Sequence, residues 1–172
     1  MARKLKLRII SWNEYLGDVI LLGEQIENSG FTPQVIVAVA RGGLIPARIL
    51  SDILNVDLIY TVAVKAYSGV SARSKETRIL QGLEKHYVAG KEVLVVDDIV
   101  DTGETLTAVL NHIRQLGTKT TKTAVPYIKP WSTIMPDYYV RVVNEWIVFP
   151  YEMHETIRDL IKRRSTEQNA FI

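Results

Sequence analysis

Six consecutive residues, Val35-Ile36-Val37-Ala38-Val39-Ala40, are apolar at every position and lack the alternation of a strand with one wet face. A run of this kind fits a strand covered on both sides, the usual condition in parallel sheets packed between helices. Arg41-Gly42-Gly43 breaks it. Leu44 to Leu54 then reads as a helix with Pro46 in its first turn, and Asp57 to Val64 as a second buried strand. Lys91 to Val96 repeats the pattern. Asp97 to Glu104 forms a turn, and Thr105 to Leu116 a helix stopped by Gly117. Strand-turn-helix units in this order imply an α/β chain with a parallel sheet flanked by helices.

The other segments are placed by weaker signals. Ser11-Trp12-Asn13-Glu14 has capping-box spacing, and Trp12, Tyr15, Leu16, Val19, Ile20 and Ile26 follow with helical period, so a first helix ends near Gly30. From Lys65 to Gly90 the period lapses. Tyr67 to Lys75 is small, polar and cationic, as expected of a mobile loop. Strands are expected near Thr121 to Tyr127, Tyr138 to Val143 and Trp146 to Phe149, and a helix from about Met153 to Arg164, with the last eight residues frayed. No repeat or Pro/Gly linker divides the 172 residues, so a single domain is expected.

Composition excludes several classes. A formal charge of +2 is too small for a dedicated nucleic-acid binder. The absence of cysteine removes disulfides, thiolate metal sites and cysteine nucleophiles, and is expected of a cytoplasmic protein. No apolar run nears the roughly 20 residues that span a bilayer, and the basic start does not lead into a signal sequence.

The chemistry concentrates in Val93-Leu94-Val95-Val96-Asp97-Asp98-Ile99-Val100-Asp101-Thr102-Gly103-Glu104-Thr105. Three carboxylates, two threonines and a glycine follow a buried strand, at the end where open α/β sheets bind ligands. The turn into the next helix aims backbone N–H groups, hydroxyls and the positive end of the helix dipole at one spot suited to a phosphate monoester. Adjacent carboxylates at Asp97 and Asp98 repel unless a cation or hydroxyl donors engage them, which a sugar diol beside Mg²⁺ does. The plainer alternative makes Asp101 an N-cap with Glu104 at N3 and leaves the acidic pair solvated.

This thirteen-residue segment resembles the signature that binds 5-phosphoribosyl-1-pyrophosphate (PRPP) in the type I phosphoribosyltransferases, and Asp at 101 resembles their 6-oxopurine branch, which takes hypoxanthine, guanine or xanthine. The resemblance implies a doubly wound, mostly parallel sheet, with a core at about 30–130 and a small base-binding hood made by the N-terminal segment and about 131–160. It assigns Asp97 and Asp98 to the ribose hydroxyls, Asp101 to the purine N7 proton, and Thr102, Gly103, Glu104 and Thr105 to the 5-phosphate. Ala40-Arg41-Gly42-Gly43 is similar to the family's pyrophosphate loop. Lys65-Ala66-Tyr67 is similar to the start of its catalytic loop, where Arg73, Lys75 and Arg78 would close over pyrophosphate.

By the same resemblance Lys129 donates to the base O6, Trp146 stacks on the ring and the Ile147 backbone reads its edge. Arg158 meets pyrophosphate, and Glu152, where the family usually has Asp, joins Asp97 and Asp98 toward Mg²⁺, directly or through water. The implied activity joins a 6-oxopurine to PRPP, releasing pyrophosphate and a nucleoside 5′-monophosphate, in a homodimer or homotetramer. Two alternatives stay open: a sensor of PRPP or a nucleotide on the same fold, and a transferase for another base such as adenine. An acidic pair this far along the chain does not fit a phosphoacceptor receiver, and no P-loop motif occurs.

Overall fold

The computed structural model describes residues 6–68 and 75–169, with side chains at 6–65 and 77–161. They fall into two compact units, Asp18–Val143 and a smaller one formed by the N-terminal residues through Gly17 with those from Asn144 onward. Helix α1 (Trp12–Asn28) is shared between them.

The larger unit holds β2 (Val35–Ala40), α2 (Leu44–Ile53), β3 (Ile59–Ser68), β4 (Lys75–Gln81), α3 (Lys85–Val88), β5 (Glu92–Val96), β6 (Ile99–Val100), α4 (Glu104–Gln115), β7 (Thr120–Ile128) and β8 (Tyr138–Val142). Its seven strands follow the order β4-β3-β2-β5-β7-β6, with β8 also paired to β7, and only the β3–β4 pair is antiparallel. From the neighbours β2 and β5 the chain winds outward both ways, through α2 to β3 and through α4 to β7. Right-handed crossovers running in opposite directions put α2 and α4 on opposite faces of the sheet. The side-chain period of two divides the apolar runs accordingly. Val35, Val37, Val39, Val93 and Val95 pack with Leu106, Val109, Leu110 and Ile113 of α4, while Ile36, Ala38, Leu94 and Val96, equally buried, face the other way. Gly23 of α1 has no room for a methyl group beside Ile53 of α2 (2.8 Å), so these helices touch nearly backbone to side chain.

Several expectations change. The β3–β4 hairpin occupies part of the stretch from Lys65 to Gly90, where the sequence carries no period, and in it Lys65 opposes Arg78. Lys-Glu-Thr-Arg-Ile-Leu-Gln is polar enough to hide a strand because an edge strand carries charge that discourages further pairing. Residues 69–74, including Arg73, lie outside the described residues, as does the side chain of Lys75. Inside the expected turn, β6 takes up two pairs with β7. Helix α5 (Met153–Asn169) continues past Arg164.

In the smaller unit a strand absent from the sequence reading, β1 (Leu7–Ile9), pairs in parallel with β9 (Trp146–Val148). Ser11 caps α1 as expected, its Oγ accepting the Glu14 N–H at 3.2 Å, but the Glu14 carboxylate accepts from Arg8 (2.8 Å) instead of closing the box. The Tyr151 ring stacks on Phe149 (5.2 Å) and meets Tyr15 edge-on (5.3 Å), giving this unit its own aromatic core.

One polar clamp ties α1 to the far strands of the larger unit. Asp18, 2% exposed, accepts three bonds of 2.7–2.9 Å from the Arg141 guanidinium and one of 2.7 Å from the Tyr127 hydroxyl. Removing one partner of such a pair leaves a buried charge, at a cost of about 3–5 kcal/mol. Arg141→Met is therefore expected to lower the urea midpoint by an amount matching about 3 kcal/mol, and Asp18→Leu in addition to recover part of it. A single variant with the wild-type midpoint would show that the clamp contributes nothing.

Candidate active site

Parallel strands bring their carboxyl ends to one edge of the sheet. Arg41 follows β2, Lys65 lies on β3 two residues past the Ala40↔Ala63 pair, Asp97 follows β5 and Lys129 follows β7. The winding direction reverses between β2 and β5, and the crevice outside such a switch point is where open sheets bind ligands. Arg41-Gly42 and Asp97-Asp98 flank it from its two sides.

The local fold of the acidic pair comes from a gap in the ladder. β5 pairs with β7 up to Val96↔Ala124, and β6 resumes at Ile99↔Tyr127. Opposite the gap stands Pro126, which has no N–H to give, and the β8 ladder likewise steps from Val125↔Tyr139 to Tyr127↔Arg141. Asp97 still donates its N–H to the Ala124 carbonyl (3.3 Å), and its Oδ1 accepts the Asp98 N–H at 2.9 Å. Both carboxylates are more than nine-tenths buried.

The two glycines press on this bend. A methyl group on Gly42 would run into the Asp98 carboxylate, and one on Gly43 into the carbonyl oxygens of Val39 and Val96. Close approach to the neighbouring strand end, not backbone freedom, is what demands glycine here, since Gly43 has an ordinary right-handed conformation (φ −64°). The Ala40–Arg41 peptide is cis, and Arg41 is exposed.

Asp97, Asp101, Thr102, Gly103 and Thr105 line a single hollow of about 100 Å³ together with Ile99, Val100 and Leu106. Gly103 is the N-cap of α4 with φ +95°, and a side chain there would be strained and would also meet Thr133 Oγ1 at 3.1 Å. The capping alternative for Asp101 and Glu104 therefore fails. The N-cap position, Gly103, has no side chain to cap α4, and the Thr102 Oγ1 accepts the Glu104 N–H at 3.4 Å. Asp101 instead accepts a 2.8 Å bond from the Trp131 indole, and Glu104 is exposed outside the hollow. The turn is held from the segment after β7, where the Thr133 N–H (3.0 Å) and hydroxyl (2.8 Å) both donate to the Thr102 carbonyl and the Lys129 N–H to that of Val100 (2.9 Å). Trp131 was not among the residues expected. Its position directly after Lys129-Pro130, at the carboxyl edge of a central strand, was the available signal.

Lys129 is buried beside this turn, with its ammonium 5.5 Å from the centre of the Trp131 ring. Lys65 and Arg78 are exposed on the hairpin. Trp146, Ile147, Glu152 and Arg158 belong to the smaller unit. Trp146 is 42% exposed, and its N–H bonds the Lys6 carbonyl as the Ile10 N–H bonds that of Val148. Alternation then turns the Ile147 N–H and carbonyl to the side away from β1. Arg158 is exposed on α5, and Glu152 lies just before it, its N–H bonded to the Phe149 carbonyl. Among the described residues no three metal-ligating side chains meet, and a metal bound at this bend would find the carboxylate oxygens of Asp97 and Asp98 as its protein donors. That donor set suits Mg²⁺, which keeps several waters and shares ligand oxygens with phosphorylated substrates.

Residues 11–157 match the phosphoribosyl transferase domain family. The chain belongs to that family. A xanthine-guanine phosphoribosyltransferase from Chromohalobacter salexigens is 36% identical over 146 residues, 84% of this chain and 83% of the relative. Among solved structures, a purine phosphoribosyltransferase from Pyrococcus horikoshii is 35% identical with a TM-score of 0.75, covering 86% of this chain and 94% of that one. A Neisseria gonorrhoeae protein solved with bound ppGpp is 25% identical with a TM-score of 0.79, covering 87% and 91%.

For this phosphoribosyltransferase, the Gly42 contact yields a direct test. A Gly42→Ala protein is expected to remain folded yet lose roughly 100-fold in kcat/KM, the scale of an ångström's misplacement in an active site. Undiminished transfer would show that the seating of Asp98 against this turn is irrelevant.

Proposed function

We propose that the chain transfers the 5-phosphoribosyl group of PRPP to N9 of a 6-oxopurine, hypoxanthine, guanine or xanthine, giving the nucleoside 5′-monophosphate and pyrophosphate. One observation carries the reading: Asp97, Asp101, Thr102, Gly103 and Thr105 share one hollow at the N-terminus of α4, beside the switch point. The relatives named for xanthine-guanine and purine substrates support the choice of base.

In this reading the 5-phosphate sits on the first amides of α4 with the hydroxyls of Thr102 and Thr105, where the helix dipole favours an anion. Asp97 and Asp98 take the ribose hydroxyls and, with Glu152, would hold Mg²⁺ directly or through water. When bound, the ion would neutralise charge on the pyrophosphate. Cleavage at C1 builds positive charge on the ribose and negative charge on the leaving group, so carboxylates on one side and Arg41, the Gly42 backbone, Lys65 and Arg158 on the other stabilise it electrostatically. Asp101 accepts the N7 proton as N9 attacks. Lys129 donates to O6, Trp146 stacks on the ring and the Ile147 backbone reads the opposite edge. The smaller unit acts as the base-binding hood, and two or four copies form the working assembly. We place its work in the cytoplasm; among the described residues no helix is long and apolar enough to cross a membrane.

A second reading, a nucleotide sensor on this fold, draws on the Neisseria protein with ppGpp. Pyrophosphate release from PRPP and Mg²⁺ with hypoxanthine, guanine, xanthine, adenine or orotate separates the two. Release with the 6-oxopurines is expected. Adenine or orotate as sole substrate would overturn the base assignment, and ppGpp binding with no turnover would favour the sensor. Asp101→Asn is expected to keep PRPP affinity while losing about 10²–10⁴-fold in kcat, the scale of a lost general base. Wild-type turnover in that variant would remove Asp101 from the chemistry.

A further inference from the structure

Trp131 is 53% exposed in the turn after β7 and, among the described residues, is not one of those packed against the hydrophobic core of the larger unit. Its neighbours on both sides are tied down. The Ser132 N–H bonds the Lys129 carbonyl (3.0 Å), the Ser132 hydroxyl bonds the Ile134 carbonyl (2.7 Å), and Thr133 donates twice to Thr102. The ring is thus presented from a braced segment, and its orientation follows from that brace.

From there it touches two residues that flank the hollow. The indole N–H, the only polar group Trp possesses, donates to Asp101 Oδ1 at 2.8 Å across thirty residues of sequence. The ring face lies 5.5 Å from the Lys129 ammonium, within the range of a cation–π contact. Among the described residues Asp101 takes no hydrogen bond other than the one from Trp131. Asp101 is exposed, and among the described residues neither a helix cap nor an ion pair restrains its carboxylate, so that without the indole donor it would be free to rotate.

We propose that Trp131 is a positioning residue: its indole N–H locks Asp101 Oδ1 so that Oδ2 faces the hollow, and its ring sets the spacing from Asp101 to Lys129. The inference rests on the reading of Asp101 as the acceptor of the N7 proton. N7 and O6 lie on one edge of a 6-oxopurine, so an acceptor and a donor at a set separation would read both together. Held in advance, they would meet that edge without the loss of rotational freedom that a mobile carboxylate would suffer.

Trp131→Phe keeps an aromatic face and deletes the donor. It is expected to lower kcat roughly 10- to 100-fold, the range for misaligned catalytic groups, and to leave KM for PRPP unchanged. In an Asp101→Asn background it should subtract little more, because residues acting through one another are not additive. A readout independent of turnover is the indole N–H resonance of Trp131 in a ¹H–¹⁵N spectrum, identified by its loss in Trp131→Phe. It should shift in Asp101→Asn. Wild-type kcat in Trp131→Phe, losses that multiply in the double variant, or a resonance indifferent to Asp101→Asn would each overturn the positioning role. Full turnover in Asp101→Asn itself would instead overturn the general-base assignment beneath it.

Discussion

The site depends on the contact between the Gly42-Gly43 turn and the end of β5. Two strands that diverge in winding direction leave a crevice, and its depth is set by how closely the chain leaving one strand can approach the other. Here the approach is limited only by the absence of side chains, with the Asp98 carboxylate and the carbonyls of Val39 and Val96 filling the space a methyl would need. Glycine at both positions is thus a packing requirement that places the Arg41-Gly42-Gly43 backbone and the acidic pair side by side.

The interrupted ladder does the complementary work. Were β5 to continue its pairing with β7, alternation would send one of Asp97 and Asp98 into a helix-covered face of the sheet, where an ionised carboxylate costs several kcal/mol. Pro126 faces the interruption because a residue without an N–H loses nothing there. β6 then re-enters the ladder and anchors the turn, and Thr133 pins it from beyond β7. Charged groups held out of water at a sheet edge are a recurrent mark of functional sites. Here the frame that holds them is continuous with the core, since Val93, Val95 and Val100 belong to the same cluster as α4.

Much of this was legible from residue order. The continuous apolar runs at 35–40 and 93–96 identified central strands because burial on both faces leaves no alternation, and the helices at 44–54 and 105–116 were bounded by Pro and Gly to within a residue or two. The β3–β4 hairpin was not legible, because an edge strand is specified by its partner and its own polar sequence resembles a loop. β1 escaped for a related reason: three residues carry no period, and only pairing with β9 makes them a strand. The local signal at Asp101 was read as compatible with capping, and the structure gave the carboxylate to Trp131, a choice that depends on a turn thirty residues away.

The sequence by itself determined the parallel core, the phosphate-suited turn from Asp97 to Thr105 and the family likeness, because each rests on contiguous residues whose burial or chemistry is written in their own order. Only the tertiary structure decided that Arg41, Lys65, Asp97 and Lys129 share one sheet edge, that glycine at 42 and 43 answers to Asp98 and strand carbonyls, and that Trp131 holds Asp101. Those relations depend on strand order and crossover direction, which join residues far apart in the chain and leave no periodic trace in it.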